Sequence, residues 1–119
     1  MRAIVFLLSA IVIISCQDDR EAQNTVCTDI ESIEQTPWLV ELKNSITNCS
    51  CEVSIIKGEY ERQTVFFVAL TDPLCNGINT PSLFNCEGKV VRSFTSAAED
   101  QKELTDKVTI DTVLYRCKK

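Results

Sequence analysis

The sequence contains no histidine, only three glycines and no pair of cysteines separated by two residues. Without histidine, the commonest general base and a frequent metal ligand are both missing. So few glycines leave no glycine-rich phosphate loop, and no serine lies in a Gly-x-Ser-x-Gly elbow. We therefore expect a protein that is not an enzyme, with no catalytic residues, no metal site and no cofactor.

Acidic side chains are the remaining candidates for catalysis. We interpret Glu52, Glu59, Glu61 and Glu87 as solvated residues on strand faces or turns. A pair of carboxylates that hydrolyses a substrate needs a cleft around it, and a small cross-linked domain rarely provides one. These residues therefore do not change the expectation that the protein is not an enzyme.

Only one long apolar run is present, at residues 3–14, and Ser9 is its single polar residue. These 12 residues are too few to cross a bilayer core of about 30 Å as a helix. The run follows Arg2 and precedes the small residue Ser15, which is typical of a signal peptide. We expect residues 1–15 to be removed by cleavage between Ser15 and Cys16.

The segment Ile13-Ile14-Ser15-Cys16 resembles the lipobox of bacterial lipoproteins. This resemblance implies that Cys16 carries fatty acyl chains, such as palmitate, and attaches the protein to a membrane. The acidic segment at 17–21 is similar to surface-export signals of Bacteroidota lipoproteins. The implied location is the outer membrane, at the cell surface, with the periplasmic face as the alternative. An ordinary secretory signal that contains a cysteine is the other interpretation.

Basic residues are the minority in the rest of the chain. After residues 1–15 are removed, 11 basic and 17 acidic residues remain, a formal charge of −6. This charge argues against nucleic acid as a partner and allows a basic protein. The remaining 104 residues suffice for one domain. We expect 16–26 to be the lipidated cysteine and a flexible tether, and 27–119 to be a single domain.

Six cysteines lie beyond Cys16. An even number in an exported domain of this size predicts three disulfides, and the sequence leaves their pairing open. The Cys49-Ser50-Cys51 motif has two further interpretations, a soft-metal site or a pair that exchanges disulfides. The predicted disulfide cysteines are Cys27, Cys49, Cys51, Cys75, Cys86 and Cys117.

Apolar periodicity predicts an N-terminal helix. Pro37 occupies its first position, and apolar residues recur at helical spacing from Trp38 to Ile46. A capping pattern predicts a shorter helix over 28–33, and Ser96 with Glu99 predicts a polar helix that ends at Leu104.

The strand patterns follow. Alternation from Cys51 to Ile55 predicts a strand, and 58–62 is predicted to be its turn. The apolar run at 64–70 predicts a central strand buried on both faces. A hairpin is predicted over 82–94, and a last strand over 108–117. Together these patterns predict an α+β fold in which the N-terminal helix packs on an antiparallel sheet of four to five strands, stapled by disulfides.

The segment 71–81 contains the loop signals Asp72-Pro73 and Asn76-Gly77 together with Cys75. Long ordered loops on rigid frames often carry recognition. We therefore interpret this segment as a binding loop for a protein or a glycan. Its candidate contact residues are Asp72, Pro73, Leu74, Asn76, Gly77 and Asn79.

Several motifs between residues 36 and 92 resemble those of one family. They are Pro37-Trp38-Leu39, a strand that opens with Cys51-Glu52-Val53, the Val65-Phe66-Phe67-Val68 strand and the Asn85-Cys86-Glu87-Gly88 hairpin. The pattern is similar to that of small, disulfide-containing lipoproteins of Bacteroidota. This chain has Arg92-Ser93-Phe94 where that family has Cys-Glu-Phe and a glycine-rich segment. The family has no assigned activity, so the resemblance implies a location and a fold.

Three functional hypotheses follow. The first is a non-enzymatic, lipid-anchored domain of the cell envelope that binds a protein or a glycan. The second is an inhibitor of a basic hydrolase such as a lysozyme or a protease, attracted by the acidic surface. The third is a thiol–disulfide protein that uses Cys49 and Cys51. The Asp111-Thr112-Val113 segment also resembles an O-glycosylation motif of exported Bacteroidota proteins, although it falls in a predicted strand.

Overall fold

A computed structural model describes residue 27 and residues 29–118. The signal peptide, the lipidation site at Cys16 and the tether, all predicted from the sequence, lie outside these residues. The described helices are a 3₁₀ turn at Ile33–Gln35, α1 at Pro37–Ser45 and α2 at Ala98–Lys107. The strands are β1 (Val53–Tyr60), β2 (Gln63–Leu70), β3 (Ser82–Phe84), β4 (Val90–Ser93) and β5 (Thr109–Cys117). The predicted α+β class is confirmed.

The strands form one antiparallel sheet in the order β4-β3-β2-β1-β5. β2 is the central strand, and Val65, Phe66 and Phe67 are each at most 4% exposed. Alternate side chains of β2 enter clusters on opposite faces of the sheet. The prediction of a central strand buried on both faces is therefore confirmed.

The turn between β1 and β2 is shorter than predicted. β1 continues through Gly58 to Tyr60, and the turn is formed by Glu61 and Arg62, whose φ angles are 50° and 63°. Two successive positive φ angles give the hairpin turn that matches the twist of the strands. Gly58 is needed inside the strand, because an added Cβ would collide with the carbonyl oxygen of Thr109 on β5.

The prediction of a helix over 28–33 is wrong for residues 29–32, which the structure describes. Residues 29–32 are not helical, and the 3₁₀ turn begins only at Ile33. This turn ends at Gln35 because Thr36 precedes a proline and is extended, with φ −132° and ψ 113°.

The ends of α2 also differ from the prediction. The helix reaches Lys107 rather than ending at Leu104. Its start is stabilised by Thr95 instead of Ser96, because the Thr95 backbone N–H and hydroxyl both donate to Asp100 Oδ2, each at 2.8 Å. The Asp100 carboxylate in the first turn thus reaches back to Thr95, and the N-cap residue Ala97 has no side-chain cap.

Two apolar clusters lie on opposite faces of the sheet. On what we call the α1 face, the 3₁₀ turn and α1 contribute buried side chains next to β1 and β2 (Cys27, Ile30, Ile33, Leu39, Ile55 and Phe66). On the α2 face, the buried side chains come from strands and from Phe94 (Ile56, Tyr60, Val65, Phe67, Ala69, Leu83 and Phe94). Leu104 of α2 packs against this second cluster without being fully buried.

The β3–β4 hairpin folds over Trp38 of α1. Trp38 Nε1 donates a hydrogen bond of 2.9 Å to the carbonyl oxygen of Cys86, and its ring lies 5.5 Å from that of Phe66. Gly88 has a φ of 80°, and an added Cβ would lie 2.8 Å from Trp38 Cδ2. The hairpin turn therefore needs glycine for its backbone conformation and for its close approach to the indole.

The predicted three disulfides are present, with the pairs Cys27–Cys86, Cys49–Cys117 and Cys51–Cys75. The first joins the segment before α1 to the β3–β4 hairpin. The other two tie the segment before β1 to the end of β5 and to the 71–81 loop. Every described strand, helix, cluster and disulfide lies within residues 27–118, so a fragment of residues 17–119 retains all of them.

Candidate binding surface

The 71–81 loop is held to the sheet at several points. Cys75 is bonded to Cys51, and the Asp72 carboxylate accepts hydrogen bonds from the backbone N–H of Glu52 at 3.3 Å and of Leu74 at 2.9 Å. The Asn79 side chain accepts from the Leu70 N–H at 2.7 Å and donates to the Leu70 carbonyl at 3.3 Å. These contacts at both halves of the loop fix its conformation.

Glu52 contributes to the same frame, and its interpretation as a solvated side chain is wrong. Its side chain is 19% exposed and accepts a hydrogen bond of 2.9 Å from the Thr71 hydroxyl. Arg116 and Lys118 lie 3.7 Å and 3.5 Å from its two carboxylate oxygens. Glu52 therefore links the start of the loop to the end of β5, a role that sequence position alone does not reveal.

The loop residues singled out from the sequence divide into two groups. Asp72 and Asn79 are half-buried and hold the loop, whereas Pro73, Leu74, Asn76 and Gly77 are exposed. Leu74 is 91% exposed at a β-turn, in which the Cys75 N–H donates to the Asp72 carbonyl. Asp72 and Asn79 thus point toward the frame, and the apolar side chain of Leu74 points outward.

Ile78 is a further contact candidate, which the loop signals in the sequence did not identify. It is 65% exposed on the same loop as Leu74. A large apolar side chain next to the loop signal Asn76-Gly77 was the available clue, because such loops lie on the surface and often carry recognition residues.

A cleft of about 530 Å³ opens beside the loop on the α2 face. β1 and β2 form its floor, and one helical stripe of α2 forms a wall through Gln101, Leu104 and Thr105. Ile78 on the loop and Ile110 on β5 also line the cleft, and both are exposed. The spacing of the α2 residues is visible in the sequence, but their position opposite the loop follows only from the fold.

Polar contacts attach α2 to the body of the domain. Arg92 Nη2 lies 3.0 Å from both Asp100 Oδ1 and Glu103 Oε2, and the Tyr60 hydroxyl donates to Glu103 Oε1 at 2.6 Å. Gln101 Nε2 donates to the carbonyl oxygens of Asn79 and Thr95. The helix is therefore held mainly by hydrogen bonds and ion pairs.

These contacts shift the acid–base behaviour of the groups. The hydrogen bond from Tyr60, followed by the one from Arg92, lowers the pKa of Glu103. Hydrogen bonds from Thr95 and then Arg92 lower the pKa of Asp100, and the hydrogen bond to Glu103 raises the pKa of Tyr60. Both carboxylates are thus stabilised as anions beside a cation, which suits attachment of the helix.

The two cysteines of the Cys49-Ser50-Cys51 motif are oxidised, and they are not bonded to each other. Cys49 and Cys51 belong to two different disulfides, with Cys117 and with Cys75. Cys51, Asp72 and Cys75 bring three potential metal-ligand atoms within 4.8 Å of one another, but the two sulfurs are bonded together. Since thiolates are the metal-binding form of cysteine, this oxidised cluster does not fit a metal ion.

The three disulfides indicate an oxidising, extracytoplasmic location. Within the described part of the chain, no helix is both long and apolar enough to cross a membrane. Comparison with known proteins found no matching family model, no matching curated protein and no matching solved structure.

Proposed function

We infer that this chain is a non-enzymatic, lipid-anchored recognition domain of the cell envelope, which binds a protein partner through the 71–81 loop. The lipobox-like segment at Cys16 supports the anchor. The observation that carries the recognition role is the loop itself. It is fixed by a disulfide and by Asp72 and Asn79, yet it exposes Leu74 and Ile78 to solvent.

A fixed loop with exposed apolar side chains favours protein recognition. Because the loop is already ordered, little conformational entropy is lost when a partner binds. Large apolar side chains that enter a partner's pocket commonly provide much of the binding energy. A glycan is a weaker candidate, since the sequence of the 71–81 loop contains no aromatic residue on which a sugar ring stacks.

A comparison of two surface variants tests the recognition role. The fragment 17–119 is used to capture proteins from extracts of the producing cells, with quantitative mass spectrometry as the readout. In the first variant, Leu74→Ser and Ile78→Ser remove the exposed apolar groups of the loop. We expect recovery of the specific partner to fall about tenfold or more, as for the loss of an interface anchor.

The matched control replaces two exposed valines on β4, Val90→Ser and Val91→Ser, which lie outside the loop. This variant is expected to recover the partner as well as the unchanged fragment does. Equal recovery by the fragment and both variants, or a loss in the β4 variant alone, would contradict recognition through the loop.

The anchor and its display have tests of their own. Mass spectrometry of the native protein is expected to find Cys16 as the first residue, carrying acyl chains. Protease added to intact cells is expected to digest the domain. A protein that still begins at Met1 would exclude the anchor, and digestion only after the outer membrane is opened would exclude outward display.

A further inference from the structure

The lining of the α2-face cleft is uncharged. Among the described residues, fourteen line the cleft, and none of them is Asp, Glu, Lys or Arg. Charged residues make up 24% of the whole chain, so this concave surface differs from the rest of the protein. A charged ligand loses its hydration when it enters a cleft, and an uncharged lining provides no opposite charge to compensate for that loss. The lining therefore favours a neutral, apolar group.

Three polar side chains in the lining have no proton left to donate. The Thr71 hydroxyl donates to Glu52, the Thr105 hydroxyl donates to the Gln101 carbonyl, and both N–H groups of the Gln101 amide donate inside the protein. Gln101 Oε1 makes no hydrogen bond with another described residue. These three side chains therefore present acceptors, which suit the N–H groups of a peptide.

The mouth of the cleft adds apolar contact area. Ile78 on the loop is 65% exposed, and Ile110 on β5 is 66% exposed. Ile78 belongs both to the cleft and to the loop surface that carries the proposed function. The cleft and the exposed side of the loop are therefore parts of one continuous surface, so that a single partner is able to contact both.

The net charge of the chain favours basic neighbours of the bound group. The chain beyond residue 15 carries a formal charge of −6. Beside the lining, exposed Asp111 directly follows Ile110 on β5, whereas Asp106 of α2 is ion-paired with Lys102. Cationic residues in a partner are therefore attracted by the protein as a whole, and anionic ones are repelled.

We propose that this cleft binds an aliphatic side chain of a partner protein, within a segment in which basic residues flank the apolar one. This inference rests on the proposed function and specifies the partner that the surface selects. The apolar side chain lies on the floor formed by Ile56, Phe67 and Ala69. A backbone N–H group of the segment donates to Gln101 Oε1, and its basic side chains are attracted by the net negative charge of the protein.

The experiment follows amide chemical shifts of the isotope-labelled fragment 17–119 as short peptides are added. The first probe is acetyl-Lys-Ser-Leu-Ser-Lys-amide. Two matched probes replace its Leu by Ser or both Lys by Glu, and laurate tests a lipid as the alternative occupant. We expect the first peptide to shift amides of α2, β5 and the 71–81 loop, and each matched peptide to bind about tenfold more weakly. Laurate is expected to leave these amides unchanged.

Two single substitutions test whether the peptide binds in the cleft. Thr105→Arg introduces a cation at an exposed lining position, and it is expected to weaken binding of the basic peptide about tenfold. Val90→Arg adds the same charge on exposed β4, outside the cleft, and is expected to leave the affinity unchanged. If Thr105→Arg disturbs the spectrum of the α1 face, Ile110→Ser provides a second, uncharged variant with the same expected loss.

Several results would overturn the inference. Tighter binding of laurate than of the peptide would make the cleft a lipid site. Equal binding of the peptide that lacks Leu would leave only non-specific charge attraction, and shifts confined to α1 or β4 would place binding elsewhere. Absence of peptide binding, with partner capture still lost in the Leu74→Ser/Ile78→Ser variant, would refute the cleft inference and leave the proposed function standing.

Discussion

The α1 and α2 faces of the same sheet are covered by helices of similar length, 9 and 10 residues, in different ways. On the α1 face, Leu39 of the helix is fully buried, and Ile33 of the preceding 3₁₀ turn is 2% exposed. The described structure of α2 contains no buried residue. The helical segment of the α1 face is thus held by buried apolar side chains, whereas α2 is attached mainly by polar contacts.

The two helices also differ in how they are linked to the rest of the domain. On the α1 side, Cys27–Cys86 and the hydrogen bond from Trp38 fix the β3–β4 hairpin to the helical segment. On the α2 side, the contacts of Arg92 and Gln101 leave a cleft of about 530 Å³ beside them. We interpret the α1 face as the scaffold and the α2 face, with the 71–81 loop, as the surface available to a partner. Regions with little apolar burial are also those that open most easily.

The largest expected effect comes from truncating the core of the α1 face. Phe66 is 0% exposed, so Phe66→Ala is expected to lower the free energy of unfolding by about 3–5 kcal/mol. Leu104→Ala on α2 removes a side chain that is only partly buried, and we expect a loss of about 1 kcal/mol. Urea unfolding of oxidised fragment 17–119 measures both. A larger loss for Leu104→Ala than for Phe66→Ala would reverse the comparison.

A smaller loss of stability is expected at acid pH, where the carboxylates that attach α2 become protonated. The folded state lowers the pKa of Glu103 and of Asp100, so their stabilising contribution is present above the ordinary carboxyl pKa of about 4. It is lost as the pH falls through the lowered values. Glu103→Gln is therefore expected to lower the melting temperature at pH 7, and its effect is expected to shrink as the pH falls through the lowered pKa of Glu103.

Thermal unfolding monitored by circular dichroism checks this pH dependence. The control is Glu41→Gln, which removes an exposed carboxylate from α1. Its effect on the melting temperature is expected to be small at neutral and at acid pH. A Glu103→Gln effect that is the same at neutral and acid pH would show that the charge of this carboxylate does not help to hold α2.

Much of the fold was predictable from local patterns. The run at 64–70 has the composition of a strand covered on both faces, and Glu87-Gly88 marked the turn of the β3–β4 hairpin. The position of Gly58 was not predictable in this way, because its reason is contact with Thr109, which is distant in sequence. The disulfide pairing was likewise open, since it depends on the order of strands in the sheet.

The candidate site was predictable only in part. The loop signals identified residues 71–81, but periodicity alone gave no reason to place a wall of α2 opposite that loop. The Gln101 side chain makes this connection by its hydrogen bond of 2.7 Å to the Asn79 carbonyl. Contacts of this kind, between residues far apart in the chain, are decided by tertiary structure and not by local propensity.

Native-state hydrogen exchange of the 17–119 fragment at neutral pH tests the contrast between the two faces most directly. We expect amides of α1 and of β2 to exchange only through global unfolding, with similar opening free energies. Amides of α2 are predicted to exchange through a local opening, with protection factors at least about tenfold lower. Protection of α2 equal to that of α1 would contradict the division of this protein into a closed scaffold face and an accessible recognition face.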